Sequence, residues 1–153
     1  MNINPASRGV HWQYNTLWAL LSIYGIELLP DNLKVARQAM LQVYLDNYKE
    51  KTGRELEPES DLYKSVVKII ELNVVQGNAL THKNDEDKWI TFSQWLQDGD
   101  HKRKVIRREF TYDSLFEKEE DFMGSLFGDE EEEAALQMQD EHIPSLMKIW
   151  EEE

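Results

Sequence analysis

The sequence predicts a mainly α-helical fold, a small helical domain of three to five helices with an acidic helical C-terminal extension. Three observations lead there. Apolar residues recur at three- and four-residue steps through much of the first 75 positions, helix start and stop signals fall between those stripes, and the acid is gathered in the last third. At 153 residues and 18.1 kDa the chain has the length of one domain, able to bury roughly 68–70% of its unfolded surface. A hydrophobic fraction of 41% with five tryptophans supports a packed core, and a mean hydropathy of -0.66 implies a very polar exterior.

The first helix is expected around Trp12, Tyr14, Leu17, Trp18, Leu21 and Tyr24, widened by Leu20 and Ile23 and ended or bent by Gly25. Leu28-Leu29-Pro30-Asp31 reads as a connection, with Asp31 as the N-cap of a second helix over 32–51. Leu33, Ala36, Met40, Val43, Tyr44 and Tyr48 form its stripe, and Gly53 stands where a left-handed C-terminal residue is wanted. Pro58-Glu59-Ser60-Asp61 starts a third helix with Leu62, Val66, Ile69, Ile70 and Asn73 inward, ending near Gly77. The β-branched run 66–70 could also be read as a strand; helix is the reading adopted.

A polar connection covers 81–87. Beyond it Trp89, Phe92, Trp95 and Leu96 keep a helical spacing, so a further helix is expected there rather than a strand. Residues 102–108 then place five cations in seven positions around Val105 and Ile106. Three readings fit: a solvated basic helix face balancing the neighbouring acid, a nucleic-acid contact in which cations neutralise phosphates, or a nuclear-import signal. The first is preferred.

Charge divides the chain. Residues 1–108 hold 15 Lys or Arg against 14 Asp or Glu, net +1, whereas residues 109–153 hold 2 against 16, net -14, which together make the chain's -13. The organisation expected is a near-neutral helical body over 1–108 and an acidic, aromatic-containing region over 109–153. In that region TYDSLFEKEED (111–121) aligns with FMGSLFGDEEE (122–132), an eleven-residue period carrying Ser-Leu-Phe and trailing acid. Two copies are too few for a solenoid. Either Leu115, Phe116, Leu126 and Phe127 are tandem anchors for a partner, or the spacing is three helical turns and the pairs share one core face. Gly128-Asp129 reads as a fresh helix start whose Glu130, Glu131, Glu132 and Glu133 favour a helix N-terminus, with Ala135, Met138, His142 and Ile143 continuing its apolar side to Pro144. Ile143, Leu146, Met147 and Trp150 then form an amphipathic segment, fit for a partner's groove or for this chain's own core.

Chemistry is sparse. The absence of cysteine removes disulfides, thiolate metal sites and cysteine nucleophiles. His11, His82, His101 and His142 show no metal-pair spacing, and each reads as a surface or core histidine. Acids at 84–87 and 98–100 lack the ligand order of a calcium loop and read as hydrated turns. With no phosphate loop, dinucleotide fingerprint or serine elbow, neither an enzyme nor a cofactor is expected. No basic leader followed by an apolar run and no long apolar span is visible, so a soluble cytoplasmic protein is expected, or a nuclear one in a eukaryotic or viral setting.

Acid concentrated in one region steers basic partners and argues against direct phosphate binding there. The function expected is a non-catalytic regulator or inhibitor that occupies a basic, nucleic-acid-binding site on a partner protein by mimicry. Its contacts would come from Asp113, Leu115, Phe116, Glu119, Glu120, Asp121, Phe122, Leu126, Phe127, Asp129, Glu130, Glu131, Glu132, Glu133 and Trp150. The alternative is an assembly or chaperone-like adaptor docking through the amphipathic C-terminal segment.

Overall fold

The computed structural model describes residues 5–100, 102–117 and 140–152. Among the described residues, three α-helices, α1 (Pro5–Leu21), α2 (Pro30–Thr52) and α3 (Asp61–Asn73), are joined by five strands: β1 (Gly25–Glu27), β2 (Val74–Gln76), β3 (Thr91–Gln97), β4 (Val105–Thr111) and β5 (Glu141–Ile143). A 3-10 helix, Leu146–Glu151, follows. Helix makes up 49% and strand 21%, and among the described residues the strands form two sheets, so the fold is mixed α/β and the mainly α expectation is corrected.

The three early helices form close to where periodicity puts them. Along α3 Leu62, Ser65, Val66, Ile69, Ile70 and Asn73 are buried at three- and four-residue steps, which settles the β-branched run as helix. The Ser60 side chain caps it, accepting from the Tyr63 N–H at 3.2 Å. It ends at Asn73, not near Gly77, because the chain turns extended into β2 and pairs in parallel with β1. In α2 the cap is Leu29 and not Asp31: Pro30 occupies the first turn, where its missing N–H costs nothing, and the helix starts earlier. Asp31 lies in the first turn, where a carboxylate suits the helix dipole. Gly53 closes α2 at φ 72°, its N–H donating to the Lys49 carbonyl at 2.8 Å. α1 stops at Leu21, and Gly25 opens β1 rather than ending the helix.

The larger correction is at Trp89–Leu96. The helix expected there is β3, paired antiparallel with β4 in the register Phe92↔Phe110 and Trp95↔Arg107. Its threefold spacing misleads because the strand is covered on both faces, which erases alternation. Phe92 packs with Tyr24, Phe110 and Tyr112, while buried Trp95 donates its indole N–H to the Asn73 side chain at 3.1 Å. Residues 102–108 form no basic helix face either: they lead into and build β4, the middle strand of the order β3-β4-β5. Glu141–Ile143 is strand, where helix was expected up to Pro144. Most of the helix expected from Asp129 lies outside the described residues.

The core gathers Leu17, Leu20, Leu21 and Tyr44 from the helix pair, Leu62, Val66, Ile69 and Ile70 from α3, Trp95 and Val105 from the sheet, and Ile143, Leu146 and Ile149 from the C-terminal segment. That last group is the amphipathic segment of the sequence reading, and it closes this chain's own core. The 3-10 helix lies on α3, with the Ser65 hydroxyl donating to the Met147 carbonyl at 2.6 Å and the Trp150 indole to Asp61 at 3.1 Å. β4 runs across the 108/109 boundary, and β5 pairs with it as Arg107↔Glu141. The acidic stretch 118–139 therefore leaves from beyond one strand and returns to its antiparallel neighbour.

Candidate functional site: the root of the acidic stretch

Beyond β4 the chain turns at Tyr112 and Asp113 and makes one helical turn over 114–117. Local chemistry shapes it. The Ser114 N–H donates to the Thr111 hydroxyl and the Ser114 hydroxyl to the Thr111 carbonyl, while the Phe116 and Glu117 amides both donate to the Asp113 carbonyl. These are the side-chain-to-backbone bonds that Ser and Thr offer at a chain reversal.

The turn is fastened to the loop 77–90. The Tyr112 N–H donates to the Ile90 carbonyl at 2.8 Å, and the Ile90 N–H to the His82 carbonyl at 2.9 Å. Gly77 starts the loop against Ile90, whose Cδ1 lies 2.3 Å from where a Cβ on residue 77 would stand, so no other residue fits without displacing it. Asn78 accepts from the Leu80 and Thr81 amides, and Asn84 from those of Glu86 and Lys88. His82 is held at φ 64°, a left-handed conformation that side chains other than glycine adopt sparingly.

Held that way, His82 makes the central contact. Its Nδ1 is 2.7 Å from Asp113 Oδ1, its ring stacks on Phe116 with centroids 4.4 Å apart at 19°, and Tyr112 meets it edge-on at 5.0 Å. Both partners of the pair are half-buried. Around them Leu80, Trp89, Leu115 and Phe116 are exposed, Leu80 to 91%. A clamped turn with apolar side chains at its surface thus forms the base from which the acidic stretch departs.

Three of the five cations of the basic cluster, Lys102, Arg107 and Arg108, are engaged within the body. Arg107, 11% exposed, donates to the Ser93 hydroxyl and meets Glu109 at 3.0 Å and Glu141 at 3.6 Å. Arg108 grips Asp140 with two bonds of 2.7 and 2.9 Å, and that hydrogen-bonded pairing holds the Asp140 carboxyl below its ordinary range. Lys102 bonds to the Asn15 side chain. The acids flanking the stretch neutralise the strand they flank.

Of the residues expected to bind a partner, Asp113 is paired to His82, and Leu115 and Phe116 are exposed beside it. Trp150 is half-buried far along the chain, bonded to Asp61 with the Lys64 ammonium over its ring at 4.3 Å. Glu119, Glu120, Asp121, Phe122, Leu126, Phe127, Asp129 and Glu130 to Glu133 lie outside the described residues. Sequence reasoning took His82 as a surface or core histidine and Trp89 as part of a helical stripe, and passed over Leu80; the polar run 81–87 reads as an ordinary loop, and no spacing signals its contact with residues 112–116. Among the described residues no group of three or more potential ligands is placed to hold a metal ion, and no helix is long and apolar enough to cross a membrane. The chain matches no family model, no curated protein and no solved structure.

Proposed function

We propose that this protein is a non-catalytic binding regulator that presents its acidic stretch to a basic, nucleic-acid-binding surface of a partner protein, in the manner of a nucleic-acid mimic. The observation that carries this reading is the clamped root: Asp113 and Phe116 are tied to His82, so the stretch begins from a fixed point with Leu115 and Phe116 at the surface. Residues 118–139 bring eight acids against one cation. Apolar contact at the root supplies short-range grip and the acid supplies steering and selectivity. The pairing of Arg107 and Arg108 with carboxylates weighs against a direct nucleic-acid contact by β4.

The adaptor alternative is less well supported. It needs the C-terminal segment to leave the core, and exposing Ile143, Leu146 and Ile149 costs about 1.5–3 kcal/mol each.

The test keeps both strands and replaces 118–139 by a neutral Gly-Ser segment of equal length. The full chain, used as bait in the native host, should retain a basic nucleic-acid-binding protein whose binding weakens steeply with salt and is competed by duplex nucleic acid, and the replaced chain should lose it. Binding that ignores both salt and duplex, or survives the replacement, overturns the reading.

A further inference from the structure

The loop beside the root carries a large apolar side chain where chain reversals favour polar ones. Asn78 and Lys83 pair across a four-residue reversal, 79–82, and Leu80 stands within it, 91% exposed. Gly, Asn, Asp and Ser suit such positions because they tolerate the tight backbone or bond to nearby amides. Leucine does neither. The reversal is nevertheless stiff. The Asn78 side chain accepts from the Leu80 and Thr81 amides at 2.8 and 3.3 Å, the His82 N–H donates to the Asn78 carbonyl at 2.8 Å, and the His82 ring lies on Phe116. Leu80 is therefore a fixed projection. Trp89, across the bridge from Lys83 and with that ammonium 4.8 Å from its ring centre, is exposed beside it, as are Leu115 and Phe116 on the adjoining turn. Four large apolar side chains on two segments tied by hydrogen bonds form a patch rather than a scatter.

Building on the function proposed above, we propose that Leu80 is an anchor that enters an apolar pocket in the partner's basic surface, with Trp89, Leu115 and Phe116 closing around the mouth of that pocket. Shape and charge select this occupant. A side chain that projects from a rigid turn is complemented by a concavity, not by a flat face. The segments 77–90 and 112–117 hold two Lys against five Asp or Glu, so the patch is set in acid. A second copy of this chain would bring acid against acid, and so would nucleic-acid phosphates or an anionic lipid surface. A pocket rimmed by Lys or Arg meets the same carboxylates with opposite charge. The stretch 118–139 departs from this turn, so anchor and acid reach one face of the partner together. Their contributions differ in kind: salt screens the acid and leaves the burial of Leu80 unscreened.

The experiment titrates the basic nucleic-acid-binding protein retained by the full chain against four chains over a range of salt: the full chain, Leu80→Asn, Val43→Asn and the chain with 118–139 replaced. Leu80→Asn places a turn-forming residue in a turn and should leave the circular dichroism spectrum and the melting midpoint unchanged. It should raise the dissociation constant by about fivefold or more with the salt dependence of the full chain retained. Val43→Asn, which removes an apolar side chain exposed on α2, should change neither. A smaller rise for Leu80→Asn, or an equal one for Val43→Asn, overturns the anchor and leaves the acidic contact standing. A replaced chain that binds as the full chain does while Leu80→Asn does not overturns the acidic contact and leaves the anchor. A full chain that retains no such protein overturns both.

Discussion

The outer face of α1 and α2 and the β3-β4-β5 sheet solve opposite problems. On the helix pair, residues 5–52 hold five Lys or Arg against four Asp or Glu, and apolar side chains such as Val35 and Val43 stay exposed. At the sheet the order is inverted: Arg107 is paired with Glu109 and Glu141 and Arg108 with Asp140, and large side chains such as Phe92 and Trp95 are covered. A folded domain leaves scattered apolar atoms at its surface as a matter of course, so exposure alone is weak evidence. Likewise a run of cations says little until its partners are known.

Leu146→Ala should break the contrast most sharply. This fully buried side chain ties the C-terminal segment to the core, and its truncation should cost about 2–5 kcal/mol in urea denaturation. Asn73→Ala comes next. Asn73 is buried, donating to the Leu21 carbonyl at 2.9 Å and accepting from Trp95, so each group left unpaired should cost about 1–3 kcal/mol by the same assay.

Tyr44 tests the boundary between the two regions through pH. Burial pushes its hydroxyl from the ordinary 10.0 up to about 12, against a smaller opposing effect of its 2.7 Å bond with Thr16. The unfolded chain therefore loses this proton first. Stability should be intact below pH 10 and fall as pH rises to about 12, with a slope of at most about 1.4 kcal/mol per pH unit from this group. Tyr44→Phe should flatten that limb of the curve in thermal melts. The smallest effect belongs to Val43→Ala: at 61% exposure the side chain is largely solvated, so its truncation should change stability by no more than about 0.5 kcal/mol in the same melts.

What the sequence reveals about this fold depends on how each element is covered. α3 is readable because one face is buried and the other wet, so Leu62, Val66, Ile69 and Ile70 keep a helical period. β3 is not, because Phe92 faces an aromatic cluster on one side and Trp95 faces Asn73 on the other, and burial on both sides imitates a threefold step. The strands β1, β2 and β5 have three residues each, too short to carry any period. At the candidate site Asp113, Leu115 and Phe116 stand out through their acid and aromatic neighbours. His82 does not, since its role arises from a contact between positions 31 residues apart and from a backbone conformation with no sequence signature.

The return of the chain from position 139 into β5 has a consequence for proteolysis. A single cut anywhere between Glu117 and Asp140 severs the covalent chain without removing either end of it. The C-terminal piece keeps its three-residue pairing with β4, its 3-10 helix on α3, and the buried Ile143, Leu146 and Ile149. The nicked protein should therefore migrate as one species under native conditions and as two bands after denaturation, with the core left in place.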